Sequence, residues 1–450
     1  MKVGLISLGC PKNLVDGEVM LGLAQQAGHH VTPDAADADV LVVNTCAFID
    51  RAKQESIDAI LEMAALKRPG KRLVVTGCLA ERYREELKKE IPEIDALLGT
   101  GEVEGIVDAI GGGPARPAAR PLTFYKKPTY LYDASTPRLQ TTPRHFAYVK
   151  IAEGCDYTCA FCIIPTLRGQ YRSRTAQSIL QEARQLADRG VRELLLISQD
   201  TTFYGIDQGE RGALARLLRE LNAVDGLAWI RLLYLYPTTI TDDVLDAMAE
   251  CEKVCRYVDL PLQHASAGVL KRMRRPGHRR TYDALLSRIR ARVPGVVLRT
   301  TFIVGFPGET REEFAELEAF VDDTRFDHVG VFTYSHEEGT RAFDRPDDVP
   351  AALKRRRRDH LMRRQQRIVA AAQRERMGTL VRVMIDGPSP EHELVLRGRL
   401  EGQAPEIDPA VYLSGADPAV HRPGDLIQAK ITGATGYDLV AEPVSVVATV

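Results

Sequence analysis

The chain opens on an apolar run, Val3 to Leu8, that ends at Gly9 and Cys10. A second run, Val40 to Val43, leads into Asn44, Thr45 and Cys46; a third, Leu73 to Val75, leads into Thr76, Gly77 and Cys78. Between them, residues 18–27 and 52–66 carry apolar side chains at helical spacing. Short apolar runs alternating with amphipathic helices predict strand, helix, strand, helix, strand, the rhythm of a parallel α/β sheet. Each strand has a cysteine just past its carboxyl end, and in an open parallel sheet those ends share the edge where ligands bind.

Residues 111–121, GGGPARPAARP, interrupt this rhythm and read as a linker, with a Pro-punctuated, extended segment running on to Arg144. Strand-like runs then return at 147–151, 193–198, 229–234, 257–260, 297–304 and 329–333. Helical patterns lie between them at 176–189, 214–221, 242–250, 282–292 and 312–322. Six such units predict a partial (β/α)6 barrel, short of the eight of a full one. A helix is expected from Lys354 to about Met377. From Thr379 the texture changes to short alternating runs at 380–385, 394–400, 411–413 and 426–431, which predict a small antiparallel β-barrel. The expected divisions are 1–112, a linker at 113–143, 144–377 and 378–450.

Composition narrows the class. The chain has 450 residues, 44% of them hydrophobic, with 60 Lys and Arg against 61 Asp and Glu. That is ample core material and too much for disorder. A net charge of −1 excludes a surface that is one polyanion-binding patch but leaves room for local ones. No apolar run approaches the ~20 residues of a membrane helix, and the start lacks the features of a signal peptide, so a cytoplasmic protein with no membrane partner is expected. The helix from Lys354 carries ten Lys or Arg against Asp359 and Glu375; it is either a solvated face or an RNA contact. The terminal barrel carries five Lys or Arg against ten Asp or Glu, with Tyr412 and Tyr437 its only aromatics, and suits a basic partner better than phosphates.

Eight cysteines are too few for a disulfide scaffold, so their positions matter more than their number. Taken singly, Cys10, Cys46 and Cys78 are small buried residues at strand ends. Three in register point instead to a metal site. Cys155, Cys159 and Cys162 form C-x3-C-x2-C in one loop after a strand. A structural zinc site would need a fourth ligand nearby, and ferredoxin loops use four cysteines. Three leave one iron of a 4Fe-4S cluster free to bind a substrate. Gln199, Asp200 and His264 sit at later strand ends on the same face, as does the turn Val304 to Glu309. Cys251 and Cys255 fit neither triad and read as structural thiols.

The segment EGCDYTCAFCIIPTLRG closely resembles the radical S-adenosylmethionine (SAM) enzymes, with Phe161 matching the aromatic that family places before its last cysteine. The order of parts, three-cysteine domain, radical-SAM core and terminal TRAM barrel, resembles the methylthiotransferases over nearly the whole chain. One branch of that family modifies transfer-RNA adenosine; another modifies the β-carbon of an aspartate in small-subunit ribosomal protein twelve. LGCPKNLVDGE, IIPTLRGQYRSR, VDLPLQHAS, KRMRRPG and LRTTFIVGFPGET all resemble the second branch. So does APEIDPAVYL, where Pro409 stands in place of a usual glycine.

The resemblance implies two 4Fe-4S clusters. Cys155, Cys159 and Cys162 would hold the one that cleaves SAM to a radical, and Cys10, Cys46 and Cys78 the one that carries the sulfur. SAM would serve as both radical source and methyl donor, with contacts from Phe161 by family pattern and from Gln199 and Asp200 by position. The implied partners are ribosomal protein twelve, free or in the ribosomal subunit, and an electron-donor protein, with ribosomal RNA a partner if the basic helix is an RNA contact. The competing readings are a transfer-RNA methylthiotransferase and a non-catalytic iron-sulfur protein that binds RNA or acts as a sensor.

Overall fold

The computed structural model describes residues 1–111, 122–123 and 128–444. Of the expected linker at 111–121, all but Gly111 lies outside the described residues. The first sheet comprises β1 (Lys2–Ser7), β2 (His30–Val31), β3 (Val40–Thr45), β4 (Arg72–Gly77), β5 (Ala96–Leu98) and β6 (Leu122–Thr123). Their spatial order is β2-β1-β3-β4-β5-β6, and every pair is parallel. All six residues of β3 are buried, because helices cover both faces of a parallel sheet. The three cysteine-bearing strands are therefore immediate neighbours. The helix after β1 spans Pro11–Gln26, earlier than its apolar spacing suggested, since Pro11 is preorganised for a first helical turn.

Residues 146–333 form six parallel strands: β7 (Phe146–Lys150), β10 (Glu193–Ile197), β11 (Trp229–Leu232), β12 (Tyr257–Asp259), β13 (Val297–Val304) and β14 (His328–Thr333). A two-stranded ribbon, β8 (Ala152–Glu153) with β9 (Arg172–Ser173), follows β7. The six divide into β11-β10-β7 and β12-β13-β14, joined through the bridge Ile230 to Val254 and a hydrogen bond from the Leu235 amide to the Asp259 carbonyl at 2.9 Å. This is the expected partial barrel, opened at its middle seam.

The terminal segment closes into a five-stranded barrel of β15 (Leu380–Pro388), β16 (Leu396–Arg399), β17 (Val411–Leu413), β18 (Leu426–Thr435) and β19 (Asp438–Pro443). Two details correct the sequence reading. The pattern gave no signal for β19, whose apolar core is only Leu439 to Ala441. The barrel is also not wholly antiparallel: β17 and β19 run parallel, because the chain passes through β18 between them and closes from the far side.

The loop between β16 and β17 leaves the small barrel and stoppers the amino end of the large one. Ala404 is fully buried in the same apolar cluster as Tyr148, Trp229 and Tyr257. Asp408 accepts from Tyr257 Oη at 2.6 Å and Arg299 Nε at 3.2 Å, and Glu406 accepts from Tyr148 Oη at 2.9 Å. Glu401 Oε1 accepts from the Arg256 amide at 2.7 Å, and Asp386 faces both His145 and Arg399. Four of the ten acidic residues are thus spent inside the chain. The acidity expected to face a basic partner is correspondingly smaller.

Candidate active site

The local triad lies on a loop pinned from several directions. Gly154 has φ +84°, and a Cβ there would fall 2.0 Å from the Gln170 carbonyl oxygen, so only glycine lets the two backbones meet. Beside it, the Cys155 amide donates to the Gly169 carbonyl at 3.0 Å. The Ala160 amide donates to the Met273 carbonyl, and the Ala342 amide to the Ala160 carbonyl, both at 2.8 Å. Arg275 Nη1 stands 3.7 Å from Cys159 Sγ, with its guanidinium over the ring of Tyr236. Tyr236 in turn stacks on Tyr157 at 3.9 Å. Burial pushes the Cys155 thiol up to about 11 and Cys162 to about 12, and Cys159 is close enough to raise each further. A dry thiol keeps its proton until a metal displaces it.

Of the three residues expected to contact SAM, Phe161 is half-buried and packs beside Ala160, Met273 and Phe306. Gln199 donates to Glu153 at 2.7 Å, and its buried Oε1 has no partner among the described residues. Asp200 is engaged by protein groups on both oxygens: the Thr202 amide at 2.9 Å, Tyr157 Oη at 2.8 Å and Thr239 Oγ1 at 3.1 Å. It holds Tyr157 against Tyr236. His264 is wholly buried, its Nδ1 accepting from the Ser266 amide at 3.0 Å.

The dispersed triad is held by its sheet. Cys10, Cys46 and Cys78 follow the carboxyl ends of β1, β3 and β4. Gly9, at φ +93°, passes so close to Cys46 that a Cβ would lie 2.9 Å from its Sγ. Ser56 clamps the Cys46 peptide at both ends, accepting from its N–H and donating to its C=O at 2.9 Å each. Burial pushes Cys78 up to about 12, with Arg168 pulling it down and the other two thiols raising it.

One buried ionic network runs from the segments flanking the loop triad to the dispersed one. Lys150 Nζ contacts Asp16 at 2.5 Å and Glu153 at 2.7 Å, and Arg168 Nη1 contacts the same two carboxylates at 3.1 and 3.0 Å. Arg168 Nη2 reaches within 4.0 Å of Cys78 Sγ, although Arg168 lies six residues beyond Cys162. From the other side, the Lys12 ammonium sits over the ring of Tyr234, at the carboxyl end of β11, where Tyr234 holds a strained φ of +61°. Sequence reading missed this network. Its signals were a lysine inside the apolar strand FAYVK and the charges of LGCPKNLVDGE, which serve as the latch between the first sheet and the barrel.

Among the described residues, no three His, Cys, Asp or Glu side chains close around a point suited to a single metal ion. Thiols spread over a loop or a sheet edge suit a polynuclear cluster, where each thiolate binds a different iron.

Comparison with known proteins decides the family. The chain is 49% identical over 442 residues to the ribosomal protein uS12 methylthiotransferase RimO of Myxococcus xanthus, covering 98% of this chain and 91% of that protein. It is 48% identical to the RimO of Geotalea uraniireducens, covering 98% of each. The chain belongs to the RimO family of radical SAM methylthiotransferases. Family models agree piecewise: an uncharacterized family, UPF0004, matches residues 2–99, the radical SAM superfamily 149–321 and a TRAM domain 377–444. As a RimO-family member it is an enzyme that transfers a methylthio group, and the radical SAM core implies a 4Fe-4S cluster and SAM. Two solved structures share the fold. The radical SAM methyltransferase TsrM of Kitasatospora setae superposes with a TM-score of 0.54 at 16% identity, covering 73% of this chain and 72% of that one. The radical SAM enzyme OxsB gives 0.52 at 12% identity, over 82% of this chain and 56% of that one.

Proposed function

We propose that this RimO-family enzyme adds a methylthio group to the β-carbon of an aspartate in ribosomal protein uS12, in the cytoplasm, fed by an electron-donor protein. In this reading Cys155, Cys159 and Cys162 hold the 4Fe-4S cluster that works with SAM, while Cys10, Cys46 and Cys78 hold a second. Bound there, the two clusters and SAM supply a radical able to take hydrogen from an unactivated carbon, and the sulfur that replaces it; such chemistry belongs to cofactors, not side chains. The residues of the chain position and shield. Gln199 offers its free Oε1 to SAM, Phe161 walls the loop, and Asp200 acts through Tyr157 by fixing the stacked pair beside Cys159. Residues 1–112 supply the second triad, 144–377 the radical core, and 378–450 the barrel that stoppers it and faces the partner.

The observation that carries the reading is the buried network from Lys150 through Glu153 and Arg168 to Cys78, which ties the segments flanking the loop triad to the dispersed triad. The substrate follows the names of the relatives. The test is anaerobic reconstitution with SAM, reductant and sulfide, offering uS12 and unmodified transfer RNA separately and reading each by mass spectrometry. A methylthio mass gain on an aspartate of uS12 alone is expected. A gain on transfer RNA alone would move the enzyme to the other branch of the family.

A further inference from the structure

The long basic helix spans Ala351–Arg376 and packs along β14. Its charges fall into two sets. The inward ones are neutralised by the chain: Lys354 pairs with Asp347, Arg357 with Glu309, and Arg364 with Glu318 and Asp322. Arg356, Arg363, Arg367 and Arg374 are exposed, and none pairs with a carboxylate among the described residues. Their spacings of seven, four and seven place all four within about 40° of one another around the helix, in a line about 27 Å long. The helix has two acidic residues: Asp359 is taken by Arg358, and Glu375, next to Arg374 in sequence, lies about 100° around the helix from the line. In a chain whose net charge is −1, this is a concentrated stripe of cations without carboxylate partners among the described residues.

We infer that this stripe seats on the phosphate backbone of structured RNA, so that the enzyme takes its substrate protein within an RNA-containing subunit rather than free. Arginine forks match phosphate oxygens in pairs, and a straight row of them at helical spacing follows a regular anionic backbone better than it follows the irregular carboxylates of a folded acidic protein. The RNA contact itself stands apart from the chemistry. Only its consequence for the substrate rests on the function proposed above.

The experiment compares full-length cluster-loaded enzyme with the quadruple variant Arg356→Gln, Arg363→Gln, Arg367→Gln, Arg374→Gln, after confirming that both melt alike and hold equal iron. Binding to purified small ribosomal subunits, to naked duplex RNA and to polyglutamate is measured across a salt series. Four phosphate contacts predict that log K falls with log salt about 3 to 4 more steeply for the parent than for the variant. Binding to subunits should drop at least about tenfold in the variant. Where uS12 is modified, KM should rise on subunits and stay unchanged on free protein. Equal salt slopes overturn the inference, as does polyglutamate binding as tight as duplex RNA, which would mean an acidic protein partner. If both substrates fail to react while the slopes differ, the RNA contact stands and the proposed substrate falls.

Discussion

The two cysteine triads solve one problem by opposite means. Cys155, Cys159 and Cys162 lie within eight residues of each other, on a loop whose shape is borrowed from distant backbone at Gly169, Met273 and Ala342. Cys10, Cys46 and Cys78 span 69 residues, yet each sits at the end of a strand whose neighbours are already fixed by the sheet. The first triad is near in sequence and needs tertiary contacts to hold its form. The second is remote in sequence and has its form given by secondary structure. A short loop can be tuned by its surroundings, whereas a sheet edge is rigid, and those properties suit the radical-generating and sulfur-carrying roles proposed for the two triads.

The largest effect separates the triads by chemistry. Cys159→Ala should bring SAM cleavage to background, a loss of at least about a thousandfold, with roughly half the iron gone. Cys46→Ala should lose similar iron yet keep cleavage while forming no methylthio product. Matching losses of cleavage in both would collapse the distinction.

Arg168 probes their link. Removing it leaves Asp16 and Glu153 short of a cation in a dry seam, and breaking a buried pair this way costs about 3–5 kcal/mol. Arg168→Gln should lower the urea midpoint accordingly, and its effect should be strongly non-additive with Asp16→Asn. Additivity would mean that the network does not join the domains.

The smallest effect concerns the borrowed support of the loop triad. His264, at the start of the segment leading to Met273, is pushed down to about 3 by burial and by Arg272 and Arg357. It is neutral when folded, whereas an exposed histidine titrates near 6.5. Below that pH the unfolded chain takes the proton first, so the contribution of His264 is whole above about pH 6.5 and declines by about 1.4 kcal/mol per unit as pH falls toward 3. Stability measured between pH 6.5 and 5 should drop by on the order of 2 kcal/mol, and His264→Asn should flatten that slope. Unchanged slope in the variant would move the acid sensitivity elsewhere.

What could be read from the sequence follows from range. The strands with apolar runs were legible, β13 to the residue, where fully buried positions alternate with half-buried ones. The loop triad was legible because its spacing is local. The dispersed triad became legible only once strand ends were inferred. The Asp16–Lys150–Glu153–Arg168 network was not, since its members lie up to 152 residues apart and each alone looks like an ordinary charge. The acidity of the terminal barrel misled for the same reason: a count of carboxylates cannot tell those facing water from Asp408, held by Tyr257 and Arg299.

That loop around Asp408 also sets a schedule. The lumen of the large barrel is lined before residue 334, but Ala404 and its neighbours are made about seventy residues later. At ~5–20 residues per second, the interval between the last barrel strand and its stopper is roughly 4 to 14 s. Through that interval the nascent barrel carries an uncovered apolar mouth, with Trp229 and Tyr257 at its rim. A ribosome stalled between codons 334 and 404 would leave a chain holding both cysteine triads and an unfinished core, a natural client for a chaperone.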